Sequence, residues 1–220
     1  MTRLLTLILA CASVLAHSAV AADEDIVEGI DVSHHQGEID WTKVKNDGIV
    51  FAFMKATQGL RFVDPRFKLN WAATEKAGII RGAYHFLEAD QDGAAQAKHF
   101  MKTVDFTKGD LIPVVDVERK GKDLARTLKA FLAEVKGTLE VDAVIYVSPS
   151  FWNEHLASAF ETVLPNPLWV AEYGVTTPRA VQNMGPWLIW QYTRSGKVDG
   201  VSGPVDRNRA RTTTGSHRIR

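Results

Sequence analysis

Apolar residues in this chain fall in short unbroken runs, separated by stretches in which they recur every three or four positions. The runs Ile26 to Val32, Ile49 to Met54 leading into Lys55, Ile79 to Phe86, Leu111 to Glu118 and Ala143 to Ser148 have strand length. Continuous apolar runs suit strands covered on both faces, as in a parallel sheet. Between them lie helical stretches: Trp41 to Asp47, Asp64-Pro65 to about Lys76, Asp92 to about Val104, Lys122 to Lys136 and Pro149 to His155. Pro65 belongs in a first helical turn, where its missing N–H costs nothing, and Gly48 and Gly78 stop the helices before them. Leu124, Leu128, Phe131, Leu132 and Val135 share one helical face. After His155 the rhythm changes. Leu168 to Tyr173 and Trp187 to Tyr192 read as strands with little helix between them, and Val205-Asp206 as a last short one.

About five strand-helix alternations predict an α/β fold with a parallel sheet, and 220 residues suffice to close it. The expected architecture is an irregular TIM-like barrel of about five β/α units followed by helix-poor strands. Hydrophobic residues make up 45% of the chain, enough for one core. Lysines plus arginines and aspartates plus glutamates both number 26, so net charge gives no reason to expect nucleic acid as a partner.

Residues 1–21 read as an export signal, with Arg3, an apolar stretch from Leu4 to Ala16, and Ala19-Val20-Ala21 before the cleavage point. Ile8 to Cys11 loosely resembles a lipoprotein site, but the apolar run continues past it. The only cysteine, Cys11, lies in this leader, so the exported chain has no disulfide. No later segment approaches the roughly 20 apolar residues of a membrane span. These features predict a periplasmic or extracellular monomer without stable membrane insertion. Residues 22–208 are expected to form a single barrel domain, the catalytic one if the chemistry read below holds, and residues 209–220 a basic, flexible tail, the stretch from Arg207 to Arg220 holding five arginines and no acid.

The candidate chemistry sits at strand ends. In a strand, Asp116 and Glu118 point to the same side, about 6.6 Å apart at Cα, with Val117 on the other. Like charges that close raise one pKa, which keeps a general acid protonated beside an ionised partner. A bare D-x-E is weak evidence, because acids often merely flank strands. Asp31, Lys55, Tyr84 with His85, Tyr146, Tyr173, Gln191 with Tyr192, and Asp206 also fall at C-terminal strand ends, however, and in a barrel those ends surround one mouth. Aromatic side chains beside acids suit a carbohydrate cleft, since sugar rings present flat C–H faces. Tyr84, Tyr146 and Tyr192 are the aromatics chosen for it, with Trp169, Tyr173, Gln191 and Lys55 as further substrate-binding candidates. There is no phosphate-binding glycine loop, and His34-His35 alone does not make a metal site, so no metal or cofactor is called for.

Seven segments in order resemble the family 25 glycoside hydrolases, the Chalaropsis-type lysozymes. They are Gly29 to Ser33 with Gln36-Gly37, Lys55 to Gly59, Gly82 to Phe86, Pro113 to Glu118, Leu168 to Tyr173, Trp190 to Tyr192, and Val205 to Asn208. The resemblance spans about Val27 to Asn208. It implies cleavage of the β-1,4 bond between N-acetylmuramic acid and N-acetylglucosamine in peptidoglycan, with Glu118 as general acid, Asp116 as its partner carboxylate, and Asp31 and Asp206 completing the site. Asp116 either attacks the anomeric carbon or orients the substrate's acetamido group to do so. Gln58 stands where a glutamate is common, Glu172 is an added carboxylate, and Arg207 interrupts a usually less charged ending. A wall-binding module without catalysis, or a chitinase-like glycosidase, is the alternative.

Overall fold

Each of the five N-terminal apolar runs becomes a strand of one closed sheet. The computed structural model describes residues 26–212, 217 and 218; the leader read at residues 1–21, with Cys11, lies outside the described residues. The strands are β1 (Ile26–Val32), β2 (Phe51–Gln58), β3 (Phe62–Val63), β4 (Ile80–Phe86), β5 (Val114–Asp116), β6 (Val144–Val147), β7 (Leu168–Ala171), β8 (Trp187–Gly196) and β9 (Val205–Arg211). Their order is β1-β9-β8-β7-β6-β5-β4-β2-β3, with β1 also paired to β2, which closes the ring and leaves β3 as an appended edge. β1, β2 and β4 to β8 run parallel, while β9 lies antiparallel between β8 and β1. The structure is thus an α/β fold with an eight-stranded TIM-like barrel.

Helices α1 (Trp41–Asn46), α2 (Phe67–Lys76), α3 (Gly93–Thr103), α4 (Leu124–Leu139) and α5 (Pro149–His155) connect the parallel strands. Their starts follow from local chemistry. The carboxylates of Asp40 and Asp92 and the hydroxyl of Ser148 accept hydrogen bonds from Lys43 N, Ala95 N and Phe151 N, filling donors that a helix leaves unmet. Helix α4 buries Leu124, Leu128, Phe131 and Val135, the face its spacing predicts.

Strand alternation then sorts side chains into two cores. Ile30, Ala52, Met54, Val115, Ile145 and Val170 point outward under the helices. Phe51, Phe53, Val114, Val144, Trp169 and Ile189 fill the barrel. Two glycines make room for the largest of these. A Cβ at Gly29 would stand 2.3 Å from the Phe51 ring, and one at Gly82 2.3 Å from the Phe53 ring.

The elements differ from the sequence reading in four places. Strand β5 is three residues long rather than Leu111 to Glu118, because Pro113 has no N–H to donate and the last rung is Val117 N to Tyr146 O at 2.9 Å. Glu118 therefore begins a loop. The small strand β3, pairing Thr57 and Gln58 with Val63 and Phe62, carried no period to mark it. Strand β8 extends to Gly196. Strand β9 runs to Arg211, past the boundary at Asn208, and Ile112 N donates to His217 O at 3.2 Å. Arg207 and Arg209 are anchored there by Glu28, at 3.2 and 3.1 Å.

Candidate active site

The inward rows that fill the barrel floor become polar one step nearer the C-terminal ends of the parallel strands. Asp31 follows Gly29, Tyr84 follows Gly82, Asp116 follows Val114, Tyr146 follows Val144 and Gln191 follows Ile189. Strand β9 enters the mouth from the opposite direction, and its register sets Asp206 directly across from Asp31. Together with Glu118, Tyr173, Trp169 and Arg194 these residues line a pocket of about 240 Å³. All four acids read from the sequence meet in it.

A network of amides holds the Asp31 side. Gln191 Nε2 and Asn208 Nδ2 both donate to Asp31 Oδ2, each at 2.8 Å. The Gln191 carbonyl is turned the other way, accepting from Tyr146 OH at 2.9 Å and from Tyr173 OH. Asn208 Oδ1 accepts from Trp169 Nε1 at 2.9 Å, so the indole is locked beneath the pocket. The Asp116 side is different. Asp116 is 7% exposed, and its Oδ1 is buried without a hydrogen-bond partner among the described residues. Such an orphan acceptor is costly unless a ligand supplies the donor.

The sequence profile of the glycosyl hydrolases family 25 matches residues 30–201. The chain belongs to that family. Lysozyme M1 of Streptomyces globisporus is 39% identical over 202 residues, covering 86% of this chain and 69% of that protein. The N,O-diacetylmuramidase of Chalaropsis sp is 28% identical over 202 residues, covering 82% and 96%. Among solved structures, the bacterial lysozyme from Streptomyces coelicolor matches with a TM-score of 0.78 at 38% identity, covering 83% of this chain and 90% of that one. The family 25 lysozyme from Aspergillus fumigatus gives a TM-score of 0.76 at 26% identity, covering 84% and 94%.

In this family 25 glycoside hydrolase the four carboxyls are all driven toward their protonated forms. Burial lifts Asp116 well above the usual carboxylate range, and the charge of Glu118 adds to it. Burial also lifts Asp31, with Asp206 opposite adding repulsion while Asn208 and Gln191 pull it down. Asp206 is raised by burial as well, offset in part by Asp31 and Arg194. Glu118 is raised by partial burial and by Asp206, against Lys55 and Arg119. Glu118 stands at the rim with one side open to water, which moderates the pull on it. The phenol of Tyr173 is pushed up to about 12 by burial, and Tyr146 is raised too, so both stay neutral donors.

Lys55 is half-buried and outside the pocket lining, and its charge bears on Asp116 and Glu118. Its Nζ donates to Gln58 Oε1 at 2.7 Å and lies 4.7 Å from the Phe86 ring centre. Gln58 Nε2 in turn donates to Glu88 at 2.7 Å, which Arg119 grips at 2.8 and 2.9 Å. The sequence departures thus have definite places. Gln58 links Lys55 to Glu88, Glu172 binds Arg179 N at 2.7 Å, and Arg207 pairs with Glu28.

Two of the chosen residues, Lys55 and Tyr192, do not line the pocket. Tyr192 follows inward-facing Gln191 and so faces out, donating to Glu28 at 2.7 Å beneath Arg209, whose guanidinium carbon is 4.5 Å from the ring centre. Asn208 and Arg194 were missed. Asn208 closes the segment Val205 to Asn208, and its position two residues after Asp206 puts it on the same inward face. Arg194 carried no signal, because its direction depends on a local break in strand register.

Proposed function

We propose that the protein is a lysozyme that hydrolyses the β-1,4 bond between N-acetylmuramic acid and N-acetylglucosamine in peptidoglycan, with Glu118 as general acid and Asp116 as the carboxylate that orients the substrate's acetamido group. The single observation that carries the roles is the orphan Oδ1 of buried Asp116 beside rim-standing Glu118. A sugar acetamide N–H supplies the donor that Oδ1 lacks. Its carbonyl oxygen is then directed at the anomeric carbon, while Glu118 gives its proton to the departing glycosidic oxygen. The C1–O bond breaks as the acetamide oxygen bonds to C1. Water then attacks C1 and gives its proton to Glu118, while the bond between C1 and the acetamide oxygen breaks and the acetamido group is restored.

In the free enzyme, burial favours keeping a proton on Asp116. Substrate reverses that order, because its N–H stabilises the ionised Asp116 and its ring shields Glu118 from water. Tyr84, Tyr146, Tyr173, Trp169 and Gln191 bound the space for the sugar, and Asp31 and Asp206 hold the wall opposite. Peptidoglycan lies outside the cytoplasm, which accords with the leader read at residues 1–21. Among the described residues no helix is long and apolar enough to cross a membrane.

The test is clearing of a suspension of purified bacterial walls, with chitin as control polymer and the new reducing ends identified. Muramic acid should appear at the reducing end, and Glu118→Gln should lower the rate by about 10²- to 10⁴-fold. An activated aryl glycoside should partly rescue Glu118→Gln but not Asp116→Asn. Equal cleavage of chitin would favour the chitinase-like alternative, and equal rescue of both variants would remove Glu118 as the acid.

A further inference from the structure

The pocket contains one cationic side chain among four acids. Arg194 lines it from the end of β8, exposed, and makes no hydrogen bond or ion pair among the described residues. Its charge reaches Asp206 and pulls that carboxyl down, against the upward shift the site otherwise imposes. Simple alternation would send Arg194 outward with Trp190 and Tyr192. The ladder between β8 and β9, however, slips between Gln191 and Thr193 and again between Thr193 and Gly196. Such irregularities re-aim side chains beside active sites, and here one precedes Arg194 and the other spans it.

We propose that Arg194 is a specificity-determining residue that binds a carboxylate carried on the lactyl arm of the muramic acid residue. The assignment rests on the lysozyme reading above. N-acetylmuramic acid differs from N-acetylglucosamine by that arm, whose carboxyl is either free or extended by an acidic peptide. A pocket walled by Asp31, Asp116, Glu118 and Asp206 repels such a group unless a cation receives it. Lys55 is not available for this, being tied to Gln58 and outside the pocket lining. Arg194 presents a planar fork of donors suited to a carboxylate. It thereby gives the site a reason to prefer muramic acid over an unmodified glucosamine residue at the same subsite.

The experiment compares wild type, Arg194→Ala and Arg194→Lys on three substrates. These are peptide-free glycan strands with ionised lactyl carboxylates, the same strands with those carboxyls converted to neutral methyl amides, and intact peptide-bearing walls. The ionised strands should show a KM raised about 10- to 100-fold in Arg194→Ala with kcat nearly unchanged, and partial recovery in Arg194→Lys. On the methyl amides wild type and Arg194→Ala should be alike. A loss confined to the peptide-bearing walls would support the same chemistry with the stem peptide as its source. Equal loss on the methyl amides, as expected if Arg194 only tunes Asp206, overturns the assignment, as does no loss on any substrate. Should wild type cleave none of the three, the lysozyme reading itself falls. Arg194 is exposed at the end of a strand, so matching thermal melts confirm that the variants are folded.

Discussion

Replacing Lys55 by methionine removes the cation that bears on both central acids while keeping a side chain of similar length against Phe86. Lys55 is the first influence holding Glu118 down and the first holding Asp116 down. An opposite charge in such proximity lowers a carboxyl by about 1 to 3 units. Lys55 is half-buried and shares its charge with Gln58, so the lower end applies, a shift of about one unit. The sign follows from the roles proposed above for Glu118 as general acid and Asp116 as the orienting carboxylate. Glu118 must be protonated, and activity is lost as pH rises through its pKa. Raising that pKa moves the alkaline limb of the kcat/KM profile up by about one unit. Asp116 must be ionised, so the acidic limb moves up as well. The whole bell should therefore shift to higher pH rather than narrow. Gln58→Glu should shift it the same way by less, because a carboxylate 2.7 Å from Nζ cancels part of the lysine's charge. The assay is initial rate on soluble glycan strands across the pH range. Limbs that stay in place while KM rises would make Lys55 a substrate contact and refute the tuning argument, and a shift to lower pH would refute its sign.

Asp116→Asn should inactivate the enzyme and stabilise its fold. A carboxyl whose folded pKa is raised contributes stability below its unfolded pKa and loses it as pH rises through the folded value, so urea melts should show a gain of about 1 kcal/mol near pH 7.5 that vanishes toward pH 4. Gly93→Ala should act far from the site, since its Cβ would meet Thr127 O at 2.0 Å and Phe131 N at 3.0 Å, both backbone. Helix α3 must then move off α4, at a cost of about 1 to 3 kcal/mol in urea midpoint analysis, with kcat on soluble strands retained below the melt.

Most of the barrel was legible because its strands obey a period of two and its helices one of 3.6, and both patterns survive any tertiary context that buries one face. The acids were legible for the same reason. Asp31 and Asp116 end apolar runs, and in a barrel such ends converge. What escaped depended on contacts that no local pattern encodes. The β5 ladder ends at Val117 N, so Glu118 reaches the pocket from a loop and not by strand alternation. The arginines after Asp206 looked like a fraying tail because their partner, Glu28, lies some 180 positions away on β1, with Arg207 separated from it by 179 residues. Tyr192 was assigned to the cleft on residue type, although its neighbour Gln191 had already claimed the inward direction. Arg194 required two slips of register to be seen at all.

The barrel's two ends show why the acids can be kept at such close quarters. Below them, Phe51, Phe53, Val144 and Trp169 fill the interior, with Gly29 and Gly82 cut back to admit the phenylalanine rings, so the floor tolerates little movement. Asn208 joins that floor to the site, accepting from the Trp169 indole and donating to Asp31. The carboxyls therefore cannot relieve their mutual repulsion by spreading apart. Burial first, and the neighbouring carboxyls after it, push Asp31, Asp116 and Glu118 above the usual carboxylate range, and a raised pKa is what a general acid needs. Rigidity beneath the site is in this sense part of its chemistry. Loosening the floor should let the acids separate and return toward ordinary values, with loss of activity at neutral pH before any loss of fold.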